Sequence, residues 1–160
     1  MAKHYFMECV LQNPIPKILL ADDDADERYF FEIALKELPT ATNLKTVPDG
    51  VGLMEYLSRN SDNLPDVLFL DIMMPRKNGI ECLTEIMRNE KLKQIPVIMY
   101  SNSVGDDYII KCYQYGATYF LQKGIYSELT ESIDKLLAIL GRTPNQASKD
   151  RFKFSLQGEC

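Results

Sequence analysis

Short apolar runs alternate with amphipathic stretches along most of this chain, and that alternation constrains the fold more than any single motif. The runs fall at residues 17–21, 43–47, 66–70, 96–100 and 118–121. Helix candidates follow them at about 25–38, 50–60, 79–90, 105–115 and 126–140. The helical readings rest on spacing. Tyr29, Phe30, Ile33, Ala34, Glu37 and Leu38 recur at three- and four-residue steps, and so do Leu129, Ile133, Leu136, Leu137 and Leu140. Gly141 is placed to stop the last helix. Asp49-Gly50 and Asn78-Gly79 punctuate strand-to-helix turns. The runs lack polar alternation, as strands buried on both faces do. Asn43-Leu44-Lys45-Thr46-Val47 is the most polar of them and so the expected edge. The pattern predicts an α/β fold: a doubly wound, five-stranded parallel sheet with helices on both faces.

Four of the runs end in residues that carry chemistry. Lys17-Ile18-Leu19-Leu20 leads to Asp22-Asp23-Asp24, and Val67-Leu68-Phe69-Leu70 leads to Asp71. Pro96-Val97-Ile98-Met99-Tyr100 ends in Ser101, and Thr118-Tyr119-Phe120-Leu121 ends near Lys123. In open parallel sheets the carboxyl ends of the strands are where ligands bind. Acids, a hydroxyl and an ammonium gathered there suit a magnesium-assisted phosphoryl acceptor, with Asp71 as nucleophile. Magnesium prefers hard oxygen ligands, so two or three carboxylates suffice to hold it. Asp22, Asp23 and Asp71 would be balanced in charge by Mg²⁺ and Lys123 together. Without a cation, such a cluster repels itself.

Each residue also has a plainer reading. Asp71 can be a turn or helix-capping aspartate, and Ser101 a cap for the helix after the fourth strand. Asp22 and Asp23 can belong to an N-terminal capping cluster, although Asp24, Asp26 and Glu27 fit that role better. Lys123 can be a solvated surface lysine. Tyr108, Tyr113, Tyr115 and Tyr119 form no cofactor box and read as packing and surface residues.

Composition excludes several classes. Net charge is −5 with no long basic run, which argues against a dedicated nucleic-acid surface. Cys9, Cys82, Cys112 and Cys160 are scattered without a CxxC, so neither a cysteine metal site nor a disulfide framework is expected. The lone histidine, His4, leaves no imidazole for the body of the chain. No apolar run approaches membrane-spanning length, and Glu8 interrupts the start where a signal peptide would need an apolar core. The expected location is the cytoplasm. Residues 1–16 read as an extension ending in Asn13-Pro14-Ile15-Pro16, residues 17–140 as the domain, and 141–160 as a tail with no output domain. That tail is basic and aromatic at Arg151-Phe152-Lys153-Phe154. It is expected to be mostly mobile, with docking on the body or on a partner as the alternative.

With these residues in place, the chain resembles the receiver domain of two-component response regulators over about residues 16–140. The resemblance rests on Asp22-Asp23, on Leu70-Asp71-Ile72-Met73-Met74-Pro75 with Gly79, on Ser101, and on Lys123, in that order and spacing. It is similar to single-domain, chemotaxis-regulator-like members. The resemblance implies the flavodoxin-like strand order 2-1-3-4-5. It implies that a histidine kinase or histidine phosphotransfer protein donates a phosphoryl group to Asp71. It also implies that Mg²⁺ is held by Asp23, Asp71 and the Met73 backbone carbonyl, with Asp22 assisting through water. Ser101 and Lys123 would bind phosphoryl oxygens. Ser101 and Phe120 would form the switch that alters the surface of the fourth helix, fifth strand and fifth helix, and hence contacts with a downstream protein or a second copy.

The sequence departs from the family at three positions. Gly124 follows Lys123 where proline is usual, Asn102 replaces a small residue, and Phe120 lacks the hydroxyl of the tyrosine often found there. Two other readings stay open at this point. One is a receiver-like binding module that is never phosphorylated. The other is a haloacid-dehalogenase-like phosphohydrolase, using the Asp-x-Asp within Asp22-Asp23-Asp24 and the later Gly105-Asp106-Asp107. Against the phosphohydrolase, Lys123 follows that acidic pair, and the chain lacks room for a cap domain.

Overall fold

The first and third apolar runs pair in parallel, with Ala21 opposite Leu70, so the residues that follow them emerge side by side. The structure, a computed structural model, describes residues 15–102 and 104–156. Its strands are β1 (Lys17–Ala21), β2 (Asn43–Val47), β3 (Val67–Leu70), β4 (Val97–Ser101), β5 (Tyr119–Gln122) and β6 (Lys153–Phe154). Its helices are α1 (Ala25–Lys36), α2 (Gly50–Arg59), α3 (Gly79–Met87), α4 (Asp106–Gln114) and α5 (Tyr126–Arg142). The sheet is parallel throughout, in the order β2-β1-β3-β4-β5-β6. The expected doubly wound arrangement is therefore present, with β2 at an edge as its polarity predicts.

Alternate residues of each strand point to opposite layers. Leu19, Leu68, Leu70, Val97, Met99 and Phe120 pack with α2, α3 and α4. Ile18, Leu20, Phe69, Ile98, Tyr100 and Leu121 pack with α1 and α5. On that second side Phe31 meets Phe69 and Tyr100, with ring centroids 5.0 and 5.6 Å away. Cys82 and Cys112 are fully buried, and burial pushes their thiols up to about 11 and about 12. They serve as small apolar side chains. Cys9, Cys160, His4 and most of the 1–16 extension lie outside the described residues.

Two expectations need correction. The last helix does not stop at Gly141 but continues to Arg142, and the Thr143 amide donates to the Ile139 carbonyl at 2.8 Å. A glycine in a helix costs only about 1 kcal/mol, and the five apolar positions before it hold α5 against the sheet. The tail is not free either. It turns at Lys149–Arg151 and adds β6 beside β5, making six strands where five were expected. Phe152 is buried to 2% exposure, and its carbonyl accepts from the Phe120 amide at 2.8 Å. Burying that ring and pairing the otherwise bare β5 edge offset the entropy of ordering the segment.

Glycine at position 79 is dictated by space. A Cβ there would lie 2.2 Å from the Asp71 carbonyl oxygen, and the Gly79 amide donates to the Ile72 carbonyl at 2.8 Å. The obstacle is backbone, so it cannot rotate away. We expect Gly79→Ala to lower stability by about 1–3 kcal/mol, measured by denaturant unfolding. An unchanged midpoint would show that the loop after β3 yields freely.

Candidate phosphoryl-acceptor site

The strand ends bring the predicted residues together at the edge where β1 and β3 diverge to opposite neighbours, a topological switch point. Asp22 follows β1 and is fully buried, while Asp23 beside it is exposed. Asp71 follows β3 and is 5% exposed. One oxygen from each of the three carboxylates falls within 4.8 Å of the others. Ser101, the last residue of β4, donates through Oγ to Asp71 Oδ1 at 3.1 Å. Lys123 reaches across the site, with Nζ 2.6 Å from Asp22 Oδ2 and 3.4 Å from Asp71 Oδ2.

The capping alternatives fall to other residues. Asp24 is the N-cap of α1, accepting from the Asp26 and Glu27 amides. Asn78 caps α3, and Gly105 stands at the cap of α4. Asp71 and Ser101 are therefore released from capping and turned toward each other. Lys123 is buried rather than solvated, at 8% exposure.

Electrostatics in this cluster are dominated by burial. Loss of solvent raises the Asp71 pKa; Lys123 pulls it down, and Asp22 raises it further. For Lys123, burial opposes the charge. The bond to Asp22 and the charges of Asp22, Asp71 and Glu27 outweigh it, leaving the pKa raised. Lys123 thus stays an ammonium shared between two acids. Asp22 is fully buried, and its Oδ2 lies 2.6 Å from the Lys123 ammonium. Three carboxylate oxygens within 4.8 Å of one another carry more negative charge than the Lys123 ammonium beside them balances, which is what a hard divalent cation satisfies. The donor set therefore fits Mg²⁺.

Several supporting contacts have no counterpart in the sequence pattern. The Lys123 ammonium lies 5.3 Å from the centroid of the Tyr100 ring, a cation–π contact that steadies it. Arg28 donates to the Asp22 carbonyl at 2.8 Å. Asp49, buried at the start of α2, pairs with Arg76 of the loop after β3. Arg76 has φ 66°, the left-handed region that non-glycine residues rarely adopt. Met73 is 63% exposed, and its amide approaches Asp71 Oδ1 at 3.4 Å. Phe120 is buried, opposite Met99 of β4 and Lys153 of β6. Of the residues at which the family pattern is broken, Asn102 and Gly124 are exposed. No described helix is long and apolar enough to cross a membrane.

With its receiver domain profile matching residues 18–134, the chain belongs to the response regulator receiver domain family, a class of two-component signalling protein. It is 34% identical over 116 residues to response regulator Rcp1 of Synechocystis sp., a match covering 69% of this chain and 78% of that protein. A protein-glutamate methylesterase/protein-glutamine glutaminase of Geobacillus kaustophilus is 34% identical over 130 residues, which covers 76% of this chain but only 36% of the larger protein. Among solved structures, that of the phosphorylated cyanobacterial phytochrome response regulator RcpA superposes with a TM-score of 0.71 at 29% identity, covering 83% of this chain and 98% of that one. The Mn²⁺-bound form of Rcp1 gives 0.70 at 25% identity, covering 83% and 99%.

Proposed function

We propose that this response regulator accepts a phosphoryl group on Asp71 from a phosphohistidine of a histidine kinase or histidine phosphotransfer protein. The observation that carries the reading is the convergence on one carboxylate. Ser101 and Lys123 each contact a different Asp71 oxygen, while Asp22 and Asp23 bring further carboxylate oxygens to the same point. An Asp71 oxygen attacks phosphorus, the phosphorus–nitrogen bond of the donor breaks, and an acyl phosphate forms. Lys123 and Ser101 then hold the transferred oxygens, which add close to −2 of charge. Asp23, Asp71 and the Met73 carbonyl would hold Mg²⁺, with Asp22 assisting through water, and the bound ion would supply charge neutralisation for those oxygens. The presence of Mn²⁺ in the Rcp1 structure supports that assignment.

On this reading the protein catalyses only its own phosphorylation and dephosphorylation, acts in the cytoplasm, and signals through altered protein contacts. RcpA is a phytochrome response regulator, so a phytochrome-type kinase is the first donor to try. Residues 17–140 are the working body, flanked by 1–16 and 141–160.

The test is intact mass after incubation with Mg²⁺ and acetyl phosphate. One phosphoryl group gained, and none with EDTA, is the expected result. No gain from acetyl phosphate or from any histidine-phosphorylated donor would leave a binding module instead. Met73, exposed beside Asp71, stands near the approach of a hydrolytic water. We expect Met73→Asn to shorten the acyl-phosphate half-life, read by phosphate release; an unchanged half-life removes Met73 from that role.

A further inference from the structure

The segment after α5 makes more specific contacts than a passive tail requires. Gln146 Nε2 donates to the Tyr113 carbonyl at 2.7 Å and to the Ala117 carbonyl at 2.9 Å, bridging the end of α4 to the approach to β5. The Ala147 amide donates to the Thr118 carbonyl at 3.1 Å. The chain then returns as β6, with Phe120 opposite Lys153 and Leu121 opposite Phe154. Phe152 packs edge-on against Tyr113, with centroids 5.3 Å apart, on the α4 side. Phe154 meets Tyr119, with centroids 6.2 Å apart, on the α5 side. Residues 146–154 thus grip β5 from both faces and along its edge.

That strand is also tied to the site. The Lys123 amide, just past β5, donates to the Ser101 carbonyl at 2.7 Å, and Ser101 holds Asp71. Phe120 sits between the two events, opposite Met99 on one side and bonded through its amide to Phe152 on the other.

We propose that residues 146–154 are an internal ligand of the α4–β5–α5 face, whose docking is thermodynamically linked to occupancy of the Asp71 site through β5. The proposal rests on the acceptor reading above. A group on Asp71 that engages Ser101 and Lys123 fixes the ends of β4 and β5. The strap then pairs with a strand already ordered, so less entropy is lost when it docks. Linkage is reciprocal: a docked strap strengthens binding at Asp71 by the same factor that binding at Asp71 strengthens the strap. A partner that reads this face meets the strap, and its hold depends on the state of Asp71.

Hydrogen exchange on the full chain tests this, with Mg²⁺ alone and with Mg²⁺ plus beryllofluoride, a tetrahedral phosphoryl mimic. Exchange of the Ala147 and Phe120 amides is expected to slow by about tenfold on beryllofluoride binding, within the usual range of allosteric coupling. Phe152→Ala is expected to weaken beryllofluoride binding by a similar factor, with Phe152→Leu restoring most of it. Beryllofluoride that binds wild type without changing exchange at those amides overturns the strap proposal and leaves the acceptor reading intact. Absence of beryllofluoride and phosphoryl uptake overturns the acceptor reading, and the strap proposal with it.

Discussion

Asp71→Asn is expected to take up no phosphoryl group from acetyl phosphate and Mg²⁺ under conditions that modify wild type completely, and in EDTA it is expected to melt at a higher temperature than wild type. The first half follows from nucleophilicity, because an amide oxygen does not form the acyl phosphate. The second half follows from burial. Asp71 is nearly enclosed, and loss of solvent raises its pKa. An acid whose folded pKa lies above its unfolded value costs stability at any pH above that unfolded value, about 3.9 for aspartate. Asparagine removes that cost at neutral pH, keeps an acceptor for Ser101, and leaves Lys123 paired with Asp22. The gain is expected to fade as pH falls toward 4, where wild-type Asp71 takes up a proton, and to shrink when Mg²⁺ supplies the missing charge to wild type. Thermal melts of both proteins at two pH values, with and without Mg²⁺, check it. A variant that melts lower than wild type in EDTA at pH 7 would show that Asp71 is not under electrostatic strain.

Lys123→Met should have the largest effect on stability. Its ammonium is the cation nearest the buried carboxylates of Asp22 and Asp71, at 2.6 and 3.4 Å. Removing one partner of a buried pair leaves an uncompensated charge and costs about 3–5 kcal/mol. At the lower figure, the midpoint in EDTA falls by roughly 6–12 °C for a chain of this size. The deficit should be larger at pH 8 than at pH 5, since Asp71, whose pKa burial already raises, can escape it only by protonation. Saturating Mg²⁺ should recover part of the loss, because a ligand that binds only the folded state adds stability in proportion to the logarithm of its concentration. Phosphorylation should slow even where folding is restored, as the donor to one transferred oxygen is gone. A deficit independent of pH and Mg²⁺ would point to lost packing against Tyr100 rather than to charge.

The site was legible because its chemistry sits where apolar runs stop. A run such as Val67–Leu70 is buried on both faces, so the first charged residue after it must mark the strand end. Four such ends in a parallel sheet face the same way. Asp24 separated from Asp22 and Asp23 for a similar reason, since capping acids bond amides two and three residues ahead. What could not be read depends on contacts between distant segments. Nothing in the spacing of Tyr100 and Lys123 announces that the ammonium folds back over the ring. Arg76 pairs with Asp49 across two loops whose approach is set only by the finished sheet. The docking of the tail escapes the sequence pattern because Lys153-Phe154 is too short to register as a strand, and its partner is an edge that exists only once β5 is in place.

The alternation of side chains along β4 has a consequence for how such a protein can diversify. Tyr100 points into the layer of α1 and α5 and steadies Lys123, whereas Met99, its neighbour in sequence, points into the layer of α2, α3 and α4 and backs Phe120. The ammonium at the acceptor and the buried ring of Phe120 are thus backed from different halves of the core. A substitution in the Tyr100 layer can therefore shift the ammonium without disturbing the packing behind Phe120, and one beside Met99 can move that ring without touching the cation.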